Sequence, residues 1–179
     1  ISGLSSFSLA IILPALPALA GVHGTDYAGI QFLVSAYLLG LALSQPLWGQ
    51  VTDRIGRRPV VLLGFTVYVA ASLACLVAEN LELLMLLRAL QAAGASTGTV
   101  VARAVIRDTH DEADGARAMS WVSIGLGAAP IIAPVIGGVL LTRGSPESIF
   151  AVMAVTGAVL WLLLYLRLPE TLEREQVQL

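Results

Sequence analysis

The chain has 179 residues, of which 57% are hydrophobic and only 12% are charged. Soluble globular domains carry about 25% charged residues, so this composition excludes an ordinary soluble domain and indicates an integral membrane protein. The formal net charge of -2 is uninformative as a total, because in a membrane protein the distribution of charge among the loops is what matters.

Six apolar runs are long enough to cross the roughly 30 Å hydrocarbon core as helices, which takes about 20 residues each. They predict spans over residues 3–20, 29–51, 60–78, 82–106, 117–141 and 148–167. The short joints between the runs require antiparallel neighbours, so we predict an all-α membrane protein, a single six-helix transmembrane bundle over residues 1–179. The chain opens on an apolar run without methionine, which favours a trimmed fragment, with removal of a leader as the alternative.

All the basic residues are arginines, and most fall on one side of this predicted bundle. The arginines of the second joint, the fourth joint with its edge, and the tail are Arg54, Arg57, Arg58, Arg107, Arg117, Arg167 and Arg174. The opposite joints offer only Arg143. Short arginine-rich loops stay in the cytoplasm, so both termini are predicted to be cytoplasmic.

The first predicted span contains Pro14 and Pro17, and two prolines three residues apart suggest a bent or broken helix that lines a cavity. No aspartate or glutamate occurs between Ile1 and Val22, and none lies well inside any other predicted span. An intramembrane acid is the obvious proton carrier, so its absence is notable.

The segment from Gly49 to Arg58 covers the end of the second predicted span and most of the joint that follows it, and it contains one aspartate and three arginines. Gly49 would allow another helix to approach the end of the second span, and Gly56 would support a tight turn. Asp53 can accept hydrogen bonds from arginines or from exposed N–H groups at a helix start. The arginines offer forked donors for carboxylates or helix C-terminal carbonyls.

The pattern Gly-x-x-x-Asp-Arg-x-Gly-Arg-Arg in this joint resembles the signature loop of the major facilitator superfamily of secondary transporters. In that family the loop is understood as a cytoplasmic latch that holds the outward-facing state and breaks as two halves rock. The resemblance therefore implies a latch formed by Gly49, Asp53, Arg54, Gly56, Arg57 and Arg58. The alternative is a loop whose positive charge only sets topology.

The fourth predicted span places Arg88 inside the membrane, with Gln91 three residues later on the same face and then Gly94 and Gly98. A guanidinium there is costly unless it snorkels outward, pairs, or faces a water-filled cavity. The family resemblance implies that Arg88 and Gln91 take part in coupling proton movement to substrate release. The alternative is that Arg88 snorkels to the outer interface. Tyr37 on the second span is a further candidate for lining the cavity.

The fifth predicted span carries Ala129-Pro130, Ala133-Pro134 and Gly137-Gly138 at intervals of four residues. This spacing predicts a seam of small residues for close helix packing, and the prolines permit local bending. The pattern is similar to the antiporter signature of the superfamily, with Ala133 in place of a glycine. It implies a packing hinge that includes Gly94, Ala133, Pro134, Gly137 and Gly138; a purely structural seam is the alternative.

This variant resembles the Bcr/CflA-type drug-resistance subgroup, as do three further segments, 13–17, 101–108 and 168–172. Members of that subgroup often carry an acidic residue where this chain has Ala10. Family members have twelve helices in two halves, so the chain would be the N-terminal half, built from two inverted three-helix repeats. Arg88, Gln91 and the prolines of the first span would then face lipid or another chain, and the other half would supply a partner for Asp53.

The resemblance implies proton-coupled export of small lipophilic drugs or metabolites by alternating access, from a bacterial inner membrane. The expected partners are a small-molecule substrate, membrane lipid and a second six-helix half, which is either the missing C-terminal half or a second copy. The rival readings are a homodimeric six-helix transporter and a truncated, non-transporting partner of a full transporter. No enzyme, cofactor or nucleic-acid partner is predicted. His110 lies in an acidic run that is interpreted as a solvated face, because one histidine is too little for a metal site.

Overall fold

In a computed structural model, the chain is described over residues 1–169, apart from the side chains of residues 112 and 143. The described part is helical and forms eight α-helices and one 3-10 turn. They are α1 (Leu4–Ala10), the 3-10 turn Leu13–Ala15, α2 (Leu16–Val22), α3 (Tyr27–Ile30), α4 (Phe32–Ile55), α5 (Arg57–Cys75), α6 (Leu81–Thr109), α7 (Glu112–Arg143) and α8 (Ser148–Arg167). Arg174 and the end of the 168–172 segment lie outside the described residues.

Six helical segments of the described chain are long and apolar enough to cross a membrane, which confirms the predicted fold class. We refer to them as spans 1 to 6: Leu4–Val22, Tyr27–Ile55, Arg57–Cys75, Leu81–Thr109, Ala113–Thr142 and Ser148–Arg167. The joints between spans 2 and 3 and between spans 4 and 5 are shorter than predicted. Polar and charged residues at these ends continue the helices beyond the apolar runs, so hydropathy alone ended the predicted spans too early.

Three helix starts are set by side-chain caps. The Oδ1 atoms of Asp26, Asn80 and Asp111 accept hydrogen bonds from the backbone N–H groups of Gly29, Leu83 and Asp114, at 2.7, 2.8 and 3.0 Å. Each cap satisfies an N–H group that has no partner within its own helix. These caps explain why α3, α6 and α7 begin where they do.

Span 4 occupies the middle of the bundle. Of the apolar stretch that would cross the membrane, 61% is buried in span 4, whereas 11% is buried in span 5. Spans 2 and 3 pack along span 4, and span 6 packs against span 3. Span 5 attaches mainly to span 1. The core therefore surrounds span 4, and the side chains of that helix are the best placed to form buried contacts.

Span 1 is interrupted as predicted. Its two α-helical pieces, Leu4–Ala10 and Leu16–Val22, are separated by the 3-10 turn that contains Pro14. Pro14 and Pro17 lack the N–H groups that would continue an unbroken ladder of hydrogen bonds. The break brings Ile11 and Pro14 against span 5 near Gly137.

Candidate functional site

Gly56 is the single non-helical residue between spans 2 and 3. Its φ is 115° and its ψ is 161°, a backbone conformation that L side chains rarely adopt. Span 2 therefore ends at Ile55 and span 3 begins at Arg57 without a longer loop. This sharp joint places Asp53 beside Arg57, although the two residues belong to different helices.

Arg57 lies at the centre of a charge cluster that we call the arginine–aspartate cluster (Asp53, Arg57, Arg107 and Asp108). Its Nη1 donates to Asp53 Oδ1 at 2.7 Å and to the Thr52 carbonyl oxygen at 2.6 Å, and its Nε donates to Asp108 Oδ2 at 2.9 Å. Arg107 lies 3.8 Å from an oxygen of each carboxylate. Two cations and two anions thus connect the adjacent ends of spans 2, 3 and 4.

The members of the cluster differ in exposure. The side chain of Arg57 is 4% exposed and that of Asp108 is 21% exposed, whereas that of Asp53 is 58% exposed. Charge-assisted hydrogen bonds are stronger where water is excluded. Arg57 and Asp108 therefore form the pair that is better shielded from water. Asp53 has a partner inside the chain, but much of its side chain remains exposed.

The other members of the predicted latch lie apart from this cluster. Arg54 is exposed. Arg58 is directed toward span 6, where its Nη2 donates to the Tyr165 carbonyl oxygen at 2.9 Å and its guanidinium lies 5.6 Å from the centre of the Tyr165 ring. A Cβ at Gly49 would meet no atom of the described chain within 4 Å. The close helix approach expected at Gly49 is therefore not made by the described residues.

Sequence reasoning missed Asp108, which it assigned to a solvated acidic run. The run does contain solvated members, but Asp108 ends span 4 next to the start of span 3 and turns inward to Arg57. Arg107 and Asp108 are adjacent at the end of an apolar run, as Asp53 and Arg54 are at the end of span 2. That repeated pairing of opposite charges was the available signal.

Arg88 is completely buried, with 0% exposure, at the centre of a second group of polar residues. Its Nη1 donates to Gln91 Oε1, its Nη2 donates to the Ser8 carbonyl oxygen at 3.2 Å, and its Cζ lies 4.3 Å from the centre of the Tyr37 ring. Nη1 also lies 3.7 Å from Met153 Sδ. These contacts bring together the predicted pair Arg88 and Gln91 and the further cavity candidate Tyr37.

Further hydrogen bonds extend this group, the Arg88 network, across the bundle. Gln91 Nε2 donates to Ser72 Oγ at 2.6 Å, and Ser72 Oγ donates to the Tyr68 carbonyl oxygen at 2.7 Å. The hydroxyl groups of Tyr68 and Ser8 are 2.6 Å apart. The Tyr37 hydroxyl donates to the Ser5 carbonyl oxygen at 3.0 Å. The network therefore joins spans 1, 2, 3, 4 and 6.

One alternative and one expectation stated above for Arg88 are wrong. It does not snorkel to an interface, and neither Arg88 nor Gln91 faces lipid or another chain, because both are 0% exposed. The physical reason is that spans 1 and 2 supply a carbonyl oxygen and an aromatic face, and Gln91 on the same span supplies an amide oxygen, which together compensate the buried guanidinium. Among the described residues no carboxylate forms an ion pair with Arg88, and its Nε has no hydrogen-bond partner.

Small residues allow the helices to close around this network. A Cβ on Gly94 would lie 2.5 Å from the Gly64 carbonyl oxygen and 2.6 Å from the Tyr68 backbone nitrogen. A Cβ on Gly40 would collide with the Ala89 carbonyl oxygen. Spans 2 and 3 can therefore approach span 4 only because these positions lack side chains.

The predicted seam on span 5 packs against the break in span 1. Ala133 is fully buried, and a Cβ on Gly137 would collide with the Ile11 carbonyl oxygen. Pro134 is half-buried, whereas a Cβ on Gly138 would meet no atom of the described chain within 4 Å. Ala133 and Gly137 thus form the contact with span 1, and Gly138 lies on another side of the helix.

Comparison with protein families gives a match over nearly the whole chain, since residues 1–178 match the profile described as Major Facilitator Superfamily. An uncharacterized transporter of Rickettsia felis is 34% identical over 94% of this chain and 42% of its own length. Multidrug resistance protein D of Escherichia coli is 31% identical over 90% of this chain and 41% of its own length. Multidrug resistance protein MdtL of Escherichia coli is 34% identical over 93% of this chain and 44% of its own length. The chain thus spans less than half the length of these relatives.

Solved structures show the same fold. The human organic anion transporter MFSD10 superposes with a TM-score of 0.78 at 20% identity, covering 98% of this chain and 47% of that protein. A bacterial homolog of the human lysosomal transporter Spinster, in an inward-facing and occupied conformation, superposes with a TM-score of 0.81 at 18% identity, covering 97% of this chain and 43% of that protein.

Proposed function

Because the chain belongs to the Major Facilitator Superfamily and is a multi-pass membrane protein, we propose that it is the N-terminal six-span half of a secondary active exporter. The substrates would be small lipophilic drugs or metabolites, moved by proton-coupled alternating access. The observation that carries this proposal is the 31% and 34% identity to two proteins named for multidrug resistance. We further propose a bacterial inner membrane location with both termini in the cytoplasm, supported by the arginines at the ends of spans 2, 3, 4 and 6.

The arginine–aspartate cluster is proposed to act as the latch. Arg57 and Asp108 would hold the ends of spans 3 and 4 together throughout the cycle, because their contact is largely shielded from water. Asp53 would be the member that changes partner, since more than half of its side chain is exposed and can accept further donors. If the second half offers an N–H group or a cation to Asp53, that contact would close the transporter at the end that carries the arginine–aspartate cluster. Separation of the contact would open the same end.

Gly49 and Gly138 fit the same proposal. Both lie on transmembrane helices, and a Cβ at either position meets open space in the described chain. Small residues on exposed helix surfaces permit close approach of another helix in the membrane. We therefore propose that these two glycines lie where the second half packs.

Arg88 is proposed to contribute a fixed positive charge to proton coupling. Its guanidinium is buried without a carboxylate partner in the described chain, so its field acts through a medium of low dielectric constant. Such a charge would favour release of a proton from a nearby acid and would lose that influence when the acid moves away. Position 10 is a buried alanine and Arg88 is 0% exposed, so the acid would be supplied by the second half and would respond to the charge of Arg88 through the surrounding spans rather than by direct contact.

A second copy of the chain is the alternative source of the missing wall. Span 5 has a long exposed apolar surface that includes Ile124, Ile131, Ile132 and Val135. Two such surfaces could face each other in a homodimer, or one could be covered by a full transporter to which the chain binds without transporting. These two alternatives predict different masses and activities.

The test begins with the mass of the purified chain in nanodiscs, followed by proton-gradient-driven efflux from liposomes of neutral, anionic and cationic lipophilic dyes. The same measurements would be made on the chain joined to the part of Escherichia coli multidrug resistance protein D that lies outside the aligned region. We expect an inactive monomer for the chain alone and proton-driven efflux for the joined protein. Asp53→Asn should abolish that efflux, whereas Asp111→Asn, with the same charge change, should retain it.

An active dimer of the chain alone would favour the homodimer. Capture of a full-length transporter by an inactive chain would favour the interaction role. A joined protein that is folded and carries none of the dyes under a proton gradient would contradict the export proposal.

A further inference from the structure

Ser72 is a fully buried residue of span 3 that reaches the Arg88 network through Gln91. Its Oγ donates to the carbonyl oxygen of Tyr68, one turn earlier on the same helix, at 2.7 Å. A carbonyl oxygen can only accept, so the single proton of the Ser72 hydroxyl is committed to that bond. Toward Gln91 the Ser72 oxygen can therefore act only as an acceptor.

The side-chain amide of Gln91 has one acceptor atom, Oε1, and one donor group, Nε2. Nε2 lies 2.6 Å from Ser72 Oγ and 3.3 Å from Met153 Sδ, and both of these atoms accept here. Oε1 accepts from Nη1 of Arg88, whose guanidinium carries donors only. All three neighbours therefore require the same orientation of the amide.

The reverse orientation of this amide would leave polar groups without partners. It would place the N–H groups of Gln91 against the donors of Arg88, and Oε1 against a Ser72 hydroxyl whose proton is already used. Gln91 and Ser72 are both 0% exposed, so bulk water offers no replacement, and an unsatisfied buried group is costly. The amide is thus held at both ends, by Arg88 on span 4 and by Ser72 on span 3.

The held amide limits the positions that the Arg88 guanidinium can take. Nη1 of Arg88 meets the Gln91 oxygen at a place that span 3 sets, and Nη2 donates to the Ser8 carbonyl oxygen of span 1 at 3.2 Å. A flexible Gln91 side chain could follow the guanidinium, because the two residues are neighbours on one helix face. Ser72 instead connects their contact to the backbone of span 3 at Tyr68.

We propose that Ser72 is a positioning residue for Arg88, which holds the Gln91 amide so that Oε1 fixes the guanidinium relative to spans 1 and 3. The effect of Ser72 on transport rests on the coupling role proposed above for Arg88, whereas the positioning rests only on contacts within the described half. Ser72 and Gln91 are fully buried and so lie apart from any substrate. Loss of Ser72 therefore weakens coupling and leaves substrate affinity unchanged.

The first test measures hydrogen exchange of the Gln91 side-chain amide by NMR, in the full 179-residue chain in nanodiscs with isotopically labelled glutamine nitrogen. The Gln91 resonances are identified by their loss in Gln91→Met. Ser72→Ala removes the acceptor of Nε2, and a hydrogen bond of ordinary net strength corresponds to roughly a fivefold change in an equilibrium constant. We expect Ser72→Ala to accelerate exchange by roughly that factor.

Ser96→Ala is the matched control for the loss of a buried hydroxyl. Ser96 is also 0% exposed, and its Oγ donates to the carbonyl oxygen of Ala93 on its own helix at 2.8 Å. It lies 2.9 Å from a second side-chain oxygen, Ser44 Oγ, outside the Arg88 network. Ser96→Ala should therefore leave the exchange of the Gln91 amide unchanged.

Two conservative replacements test whether the acceptor at position 72 is what matters. Ser72→Thr keeps the hydroxyl and should retain slow exchange of the Gln91 amide. If the added methyl group prevents folding, Ser72→Cys, with a weak sulfur acceptor, should give a rate between those of the parent and Ser72→Ala.

The second test measures proton-driven efflux by the joined protein as a function of dye concentration. Ser72→Ala is expected to lower the maximal rate by roughly fivefold and to leave the KM for the dye unchanged, because it disturbs the coupling charge and no dye contact. Ser96→Ala should change neither quantity.

Gln91 exchange that is unchanged by Ser72→Ala, or equally accelerated by Ser96→Ala, would overturn the positioning role whether or not the joined protein transports. Faster exchange together with an unchanged maximal rate in an active joined protein would overturn the link from Ser72 to coupling. A joined protein that carries no dye would contradict the proposed export function, and the exchange measurement would then decide the role of Ser72 by itself.

Discussion

Replacing Asp108 with asparagine is expected to cost more folding free energy than the same replacement at Asp53. Asp108 bonds to an arginine whose side chain is 4% exposed and is itself only 21% exposed. The change leaves a shielded cation with one fewer charged partner, and a hydrogen bond to a charged group contributes about 1.5–3 kcal/mol. We expect Asp108→Asn to lower the free energy of unfolding by about 2 kcal/mol, or roughly 30-fold in the unfolding equilibrium constant.

Asp53 should be less sensitive because its side chain is 58% exposed. An exposed ion pair contributes about 0.2–1 kcal/mol, so Asp53→Asn is expected to cost at most about 1 kcal/mol. The assay is reversible unfolding of the purified chain in mixed micelles, followed by tryptophan fluorescence and by circular dichroism. Both probes should give the same transition if a single free energy is to be compared.

Asp111→Asn is the control for the loss of one negative charge at the end of this helix pair. Asp111 caps helix α7 through Asp114 N at 3.0 Å, and asparagine caps a helix about as well as aspartate. This variant should therefore remain within about 0.5 kcal/mol of the parent. An Asp53→Asn cost equal to or above that of Asp108→Asn would refute the reasoning, as would an Asp108→Asn value that matches the control.

Three further predictions concern the interior and the joint. Arg88→Lys should destabilise the chain by about 2–3 kcal/mol, because an ammonium group cannot reproduce the stacked and forked contacts of the guanidinium. Arg88→Met should cost less folding free energy, since it removes the buried charge altogether. Thermal unfolding of both variants would rank them. Gly94→Ala should lower the free energy of unfolding by about 1–3 kcal/mol through overpacking, whereas Gly49→Ala should not destabilise the isolated chain. A loss of efflux for Gly49→Ala in the joined protein would indicate that the second half packs against Gly49. Gly56→Ala should cost about 1–3 kcal/mol because of its backbone conformation, and unfolding measurements would detect this.

The sequence was sufficient for the number and approximate positions of the membrane spans, because each is an apolar run long enough to cross a bilayer, but it did not give their polar ends. It also identified Asp53 and Arg57, which are four positions apart and could interact locally. It could not pair Arg57 with Asp108, because 51 positions separate them and the contact depends on where span 4 ends. The signal for that end was present in the capping residue Asp111.

The surroundings of Arg88 could not be predicted for a related reason. Its partners come from spans 1, 2, 4 and 6. One of them is the backbone carbonyl of Ser8, which no pattern of side chains in the sequence can indicate. Whether a guanidinium snorkels or remains buried is decided by such acceptors. Gln91, three residues along the same helix, was the one partner that spacing alone could identify.

Gly56 alone joins spans 2 and 3, and this short joint sets the spacing along the chain between Asp53 and Arg57. A substitution leaves that spacing unchanged, whereas an insertion alters it. Each residue added to a helix turns all later side chains by about 100° and moves them by about 1.5 Å along the axis. An extra residue between Asp53 and Gly56 would direct the carboxylate away from Arg57, whatever the identity of that residue. Ile55, with 65% exposure, should accept many replacements. The spacing between Asp53 and Arg57 is therefore under tighter geometric control than the chemical identity of Ile55.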